Sequence, residues 1–90
     1  MHFEWDHRKA AANARKHGVT FEEAASVFGD PLALTFDDPD HSSGEHRMLT
    51  FGVAAYGSLI VVAHTERRGN VRIISARRAT TAERKIYEQG

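Results

Sequence analysis

Apolar residues along this chain first recur with a helical period and later alternate as in strands. Phe3 to Trp5 is a short apolar start, and Asp6 behind it is an N-cap for a helix running to about Lys16. His17-Gly18 ends that helix, because glycine takes the left-handed C-cap conformation cheaply. In VTFEEAASVFGDP a capping box is expected, Thr20 reaching the backbone at Glu23 and Glu23 reaching back. Phe21, Ala24, Ala25 and Phe28 then fall at i, i+3, i+4 and i+7, one face turned to a core. Gly29-Asp30-Pro31 stops this second helix, which spans Thr20 to Phe28.

After Pro31 the period shortens. Leu32 to Phe36 reads as a strand, and Asp37 to His46 as a polar loop. Arg47 to Ala54 alternates, with Leu49, Phe51 and Val53 on one face and Thr50 and Gly52 on the other. Tyr56-Gly57 turns the chain into Leu59 to Glu66, and RRGN turns it into Val71 to Arg77. Two consecutive hairpins predict an antiparallel meander. Thr80 and Glu83 form a second capping box, opening a C-terminal helix in which Ala79, Ala82 and Ile86 pack inward. The expected architecture is α+β: N-terminal helices, an antiparallel sheet and a closing helix, in one domain over residues 1–90.

Composition adds little to this outline, but charge placement changes it. The 90 residues carry 12 basic and 12 acidic side chains, a formal net charge of zero. Yet residues 17–46 hold seven acidic groups and no Lys or Arg, whereas residues 47–90 hold eight basic groups against three acidic ones. A dipolar molecule with a local basic face suits phosphate binding. With no cysteine, disulfides, thiolate metal sites and cysteine nucleophiles are excluded. No apolar run is long enough for a signal peptide or a bilayer span, which points to the cytoplasm.

Between residues 64 and 88, six arginines, a lysine, a histidine and a tyrosine stand against three glutamates. Simple alternation puts His64 and Glu66 on one face of their strand with Ile60 and Val62. On the next strand it puts Arg78 with Arg72 and Arg77 on the opposite side. Either the arginines are the charged rim of a sheet, which discourages edge pairing, or they hold a phosphate; composition leaves both open. Asp40, His41, Glu45 and His46 match no common metal-ligand spacing, and neither metal nor cofactor is expected. Trp5 reads as a core anchor and His17 as a cation at a helix C-terminus.

The ordered blocks FEWD, KHGVTFEEAASVFGDP, DDPDHSSGEHR, TERRGNVRIISARRAT and ERKIYE resemble the BrnT family over nearly the whole chain. That resemblance implies a RelE-like fold and a ribonuclease toxin of a bacterial type II toxin-antitoxin module that arrests growth by cutting RNA. It also implies neutralisation by a BrnA-like antitoxin in a hetero-oligomer, operator DNA being reached only through the antitoxin. In RelE-like proteins an arginine after the last strand and a tyrosine in the following helix serve the active site. Here ISARR and ERKIY carry the role onto Arg77 or Arg78 and onto Tyr87, with Arg77 favoured.

Relatives use lysines on an earlier strand, and this meander has none; His64 and Glu66 occupy that region as alternative bases. Metal-free cleavage then runs through the 2′-hydroxyl, with Lys16, Arg47, Arg67, Arg68 and Arg72 as candidates for holding RNA. The reading of a different class is a non-catalytic module that binds protein or nucleic acid with the same basic face.

Overall fold

The computed structural model describes residues 1–39 and 46–90. Helix α1 (His7–His17) starts where Asp6 Oδ1 accepts the N–H groups of Arg8 and Lys9 at 2.8 and 3.1 Å, and ends where Gly18 takes φ 69°. Helix α2 (Phe21–Ser26) starts at Thr20, whose Oγ1 accepts Glu23 N–H at 3.0 Å. Only the Thr20 half of that capping box forms, and the helix tightens into a 3₁₀ turn over Val27–Gly29 instead of continuing as α.

Five strands follow the predicted order with one addition: β1 (Phe3–Glu4), β2 (Leu34–Asp37), β3 (Arg47–Val53), β4 (Leu59–Arg67) and β5 (Asn70–Arg78). Across the sheet they lie β1-β5-β4-β3-β2. Strands β2 to β5 are antiparallel neighbours, whereas β1 runs parallel to β5, pairing Phe3 with Val71 and Glu4 with Arg72. The sheet is therefore mixed. Two residues are too few to display an alternation, which is why Phe3–Glu4 reads in sequence as a lead-in.

Helices α1 and α2 cover one face of this sheet. Val19, Phe21, Ala24 and Val27 meet Ile60, Val62, Ile73 and Ala76 in the core; each large side chain contributes about 1.5–3 kcal/mol by leaving water. Trp5 packs edge-on against Phe21, ring centres 5.9 Å apart, as its anchoring role requires. At Gly52 the helical layer comes close to the sheet, since a Cβ there would lie 2.7 Å from Val27 Cγ1.

Helix α3 (Thr81–Gln89), with its complete Thr80–Glu83 capping box, lies on the opposite face near β3, its end at Gly90 against Leu34. Leu59, Val61 and Phe51 are buried on that face. No residue of α3 itself is buried: Ala82 is exposed and Ile86 is 45% exposed, contrary to the expected apolar stripe. Polar contacts hold this helix instead. Among the described residues no helix is long and apolar enough to cross a membrane.

Buried Asn13 joins the helical layer to the sheet. Its Nδ2 donates to Ala76 O at 2.8 Å and to Val19 O at 3.0 Å, and its Oδ1 accepts Ala76 N–H at 3.0 Å. Asn13→Leu leaves three buried backbone groups unpaired and is expected to lower unfolding stability by about 3 kcal/mol. Urea denaturation measures it; an unchanged midpoint would mean that other groups or water already satisfy Ala76.

Candidate functional site

Strand β5 does not alternate throughout. Ala63 pairs with Ser75 but His64 pairs with Ile73, which leaves Ile74 as the extra residue of a β-bulge. The bulge reverses the parity of everything after it. Arg72, opposite Thr65, and Arg77, opposite Val61, consequently share the α3 face, and Arg78, opposite Ile60, turns to the α1 face. This corrects the grouping of Arg78 with Arg72 that alternation predicts. Arg47 also lies opposite Thr65, so it joins Arg72 and Arg77. Between these arginines the floor is Ser75, Ala63, Leu49 and Phe36, which α3 leaves open.

Arg77 is held at the start of α3 by a two-bond contact with Glu83, Nη1 to Oε1 at 2.7 Å and Nη2 to Oε2 at 2.8 Å. Glu83 Oε1 also accepts Thr80 N–H at 2.9 Å, so the capping carboxylate and the partner of Arg77 are one group. The bond to Arg77 holds the Glu83 carboxyl far below the usual range, at about 2, against the opposing effect of burial. The same contact raises the Arg77 pKa further. Nη1 reaches Arg78 O at 3.4 Å, and the Arg77 side chain remains 40% exposed. Of its five N–H donors, two are committed to Glu83, and others remain for a ligand.

The remaining expected residues separate into distinct places. Arg78 is exposed beside Gly18, at the end of α1. Tyr87 Oη donates to Asp30 Oδ2 at 2.6 Å, while Asp30 also accepts the N–H groups of Val53 and Leu32. That bond raises the Tyr87 pKa and lowers that of Asp30, making the pair an anchor for α3. His64 is buried on the helix-covered face, edge-on to Phe28 and sharing a 2.7 Å hydrogen bond with Thr50 Oγ1. Burial pushes its pKa down to about 4, so it is a neutral core residue and not an accessible base.

Glu66 is exposed near the far end of β4, around a shallow depression with His46, Met48 and Thr65. Five residues of β4 separate it from the level of Arg77, roughly 16 Å, too far for both to serve one phosphodiester. Arg72 is paired with Glu4 at 2.8 Å; Arg67 and Arg68 lie at the β4–β5 turn, Arg68 with φ 54°; Lys16 is exposed in the last turn of α1. Asp40, His41 and Glu45 lie outside the described residues; His46 pairs with Asp37 at 2.8 Å.

Sequence reasoning missed Glu83 as the partner of Arg77 and Asp30 as the partner of Tyr87. The only local signal was the Thr80–Glu83 spacing, which announced a cap and nothing more.

A family model described as the ribonuclease toxin BrnT of type II toxin-antitoxin systems matches residues 5–83. Among solved structures, the Brucella abortus ribonuclease toxin BrnT superposes with a TM-score of 0.69 at 24% identity, covering 90% of this chain and 99% of that one. At that identity the structural likeness speaks to fold. No curated protein matches.

The buried His64 makes the fold acid-sensitive. Its pKa is about 4 folded against an ordinary 6.5, so below pH 6.5 the unfolded chain takes up a proton that the folded chain refuses. Stability is full above pH 6.5 and falls by about 3 kcal/mol as pH drops to 4. The Glu83 contribution is lost only below 4.5, which separates the two. Urea midpoints across pH 4.5–7.5 are expected to flatten in His64→Gln; an equally steep loss in that variant would assign the acid sensitivity elsewhere.

Proposed function

The chain belongs to the BrnT family, the ribonuclease toxins of type II toxin-antitoxin systems, and on that premise we propose that it cuts RNA on the α3 face of its sheet, with Arg77 on the scissile phosphate. The observation carrying this reading is the bulge at Ile74, which gathers Arg77, Arg72 and Arg47 around an open floor. We read the arrangement as RelE-like and the toxin domain as spanning residues 1–90.

In the proposed reaction the ribose 2′-hydroxyl attacks the adjacent phosphorus while its proton passes to solvent water, a 2′,3′-cyclic phosphate forms as the bond from phosphorus to the 5′-oxygen breaks, and that oxygen leaves as a hydroxyl with a proton taken from water. The nucleophile belongs to the substrate, so the scheme calls on no metal. Negative charge grows on the non-bridging oxygens as the phosphorane forms. A guanidinium fixed in advance stabilises that charge without reorganising, and its planar fork fits two phosphate oxygens. Glu83 is a positioning residue: it fixes the plane of Arg77 and is in turn fixed by the α3 cap.

Arg72 and Arg47 lie roughly 13 Å along the strands from Arg77, where they serve neighbouring phosphates. Arg78, Lys16, Arg67 and Arg68 are kept as RNA contacts outside the reacting centre. His64 and Glu66 are withdrawn as bases, the first by burial and the second by distance, and Tyr87 acts through Asp30 to seat α3.

A type II toxin has an antitoxin partner. A BrnA-like, DNA-binding antitoxin that carries a hetero-oligomer to operator DNA in the cytoplasm completes the proposal. The test is the purified chain, freed of antitoxin, incubated with RNA in EDTA. Cleavage by the wild type is expected, and a loss of at least about 100-fold in Arg77→Ala, equal to about 3 kcal/mol of transition-state stabilisation, with antitoxin binding intact. RNA retained uncut by the wild type favours the non-catalytic module, and full cleavage by Arg77→Ala removes Arg77 from the centre.

A further inference from the structure

The exposed side of α1 carries charge of one sign only. Arg8, Lys9, Arg15 and Lys16 are exposed, and the helix contains no acidic residue. At 100° per residue Arg8 lies 20° from Arg15, and Lys9 lies 20° from Lys16. The four cations therefore occupy one outward face in two lines, with exposed Ala12 between the lines and exposed Ala11 just beside them. None of the four side chains takes part in an ion pair among the described residues.

That pattern works against the helix that bears it. Arg15 and Lys16 in the last turn are favoured by the macrodipole, but Arg8 and Lys9 in the first turn oppose it, and no acidic residue stands among the four. Glutamate at position 11 or 12 would reach Arg15, or Arg8 and Lys16, at i, i+4 spacing and relieve the repulsion. The alanines there leave the charges unneutralised and the face flat. Such a face suits a polyanion backbone, which needs regularly placed cations and no base readers.

The face also leads somewhere. Gly18 closes α1, and a Cβ on it would stand 3.6 Å from Arg78 Nη1, so the Arg78 guanidinium lies at the helix's basic end. Among the described residues Arg78 has no carboxylate partner, and its neighbour Arg77 lies on the other face of the sheet. Positive charge thus continues from Arg77 across the end of β5 to Arg78, then along Lys16 and Arg15 to Lys9 and Arg8, about 12 Å of helix.

We propose that the outward face of α1 is a second, sequence-independent binding surface for single-stranded RNA, receiving the strand that leaves the Arg77 site past Arg78. The choice of RNA rests on the ribonuclease reading above and on the continuity of charge with Arg77.

The test uses full-length protein and 2′-O-methyl RNA, which binds without being cut. A 20-nucleotide oligomer spans both surfaces and a 4-nucleotide oligomer fills only the Arg77 site; anisotropy is measured over a salt series. Replacing Arg8, Lys9 and Arg15 by Gln is expected to weaken the long oligomer at least about fivefold and to make its log K against log salt slope shallower by about 2, while the short one binds as before. The double variant Ala11→Glu, Ala12→Glu should weaken the long oligomer similarly with an unchanged or higher Tm, which separates lost binding from lost folding.

Wild-type affinity and slope in both variants overturns the proposal. So does equal loss for both oligomers, or a loss confined to duplex DNA or to antitoxin. A wild type that cuts no RNA at all defeats the ribonuclease reading while this binding measurement still returns its own answer.

Discussion

One side-chain amide substitutes for a missing strand. β1 covers the outer edge of β5 only at Val71 and Arg72. Beyond it, Ala76 would present a bare N–H and C=O inside the core, each costing about 1–3 kcal/mol unpaired. Asn13 answers both groups as a neighbouring peptide would, and its second amide hydrogen takes Val19 O, where α1 has turned toward α2. Few other residue types offer a donor and an acceptor at that separation. The position of α1 over β5, and with it the placement of Gly18 beside Arg78, depends on this contact.

The bulge at Ile74 is the second constraint, and it decides the chemistry. Continued without it, the pairing of Arg72 with Thr65 would bring Arg77 opposite Ile60, to the exposed place on the helix-covered face that Arg78 now holds. A guanidinium there would lie across the sheet from Arg72 and Arg47. The extra residue returns Arg77 to the α3 face and gives the inward position to Ala76, small enough to sit under Asn13. Arg78 escapes the core because the sheet ends there, against the exposed end of α1. Adjacent arginines thereby come to serve opposite faces.

The local parts of this fold were legible because they follow from short-range rules. Asp6 and Gly18 bracket α1, Thr80 and Glu83 start α3, and period-2 runs mark β3 to β5. The bulge was not legible, since neither glycine nor proline marks Ile74. Nor were the Tyr87–Asp30 and Asn13–Ala76 contacts, which span 57 and 63 residues. His64 is the instructive case: its parity already grouped it with Ile60 and Val62, which are core residues, and burial followed from that grouping. A near-neutral intrinsic pKa drew it into the proposed chemistry, although the packing that parity implied removes that pKa from the useful range.

Charge shows why a chain of zero net charge still presents basic surfaces. Several carboxylates are spent internally: Asp6 on the α1 cap, Glu4 on Arg72, Glu83 on Arg77 and Thr80, and Asp30 on Tyr87 and two backbone groups. Their charge is fixed to the scaffold, and the acidic groups left in solvent include Glu22 on α2 and Asp37 at the end of β2. Among the described residues the cations of α1 and Arg78 have no such internal task. Screening limits the reach of exposed charge to about 8–10 Å at physiological salt, so a phosphate near Arg78 responds to the end of α1 and scarcely to distant acids. The quantity that governs binding here is therefore the charge within one screening length, where Glu83 is already paired with Arg77 and Asp6 is engaged in the α1 cap.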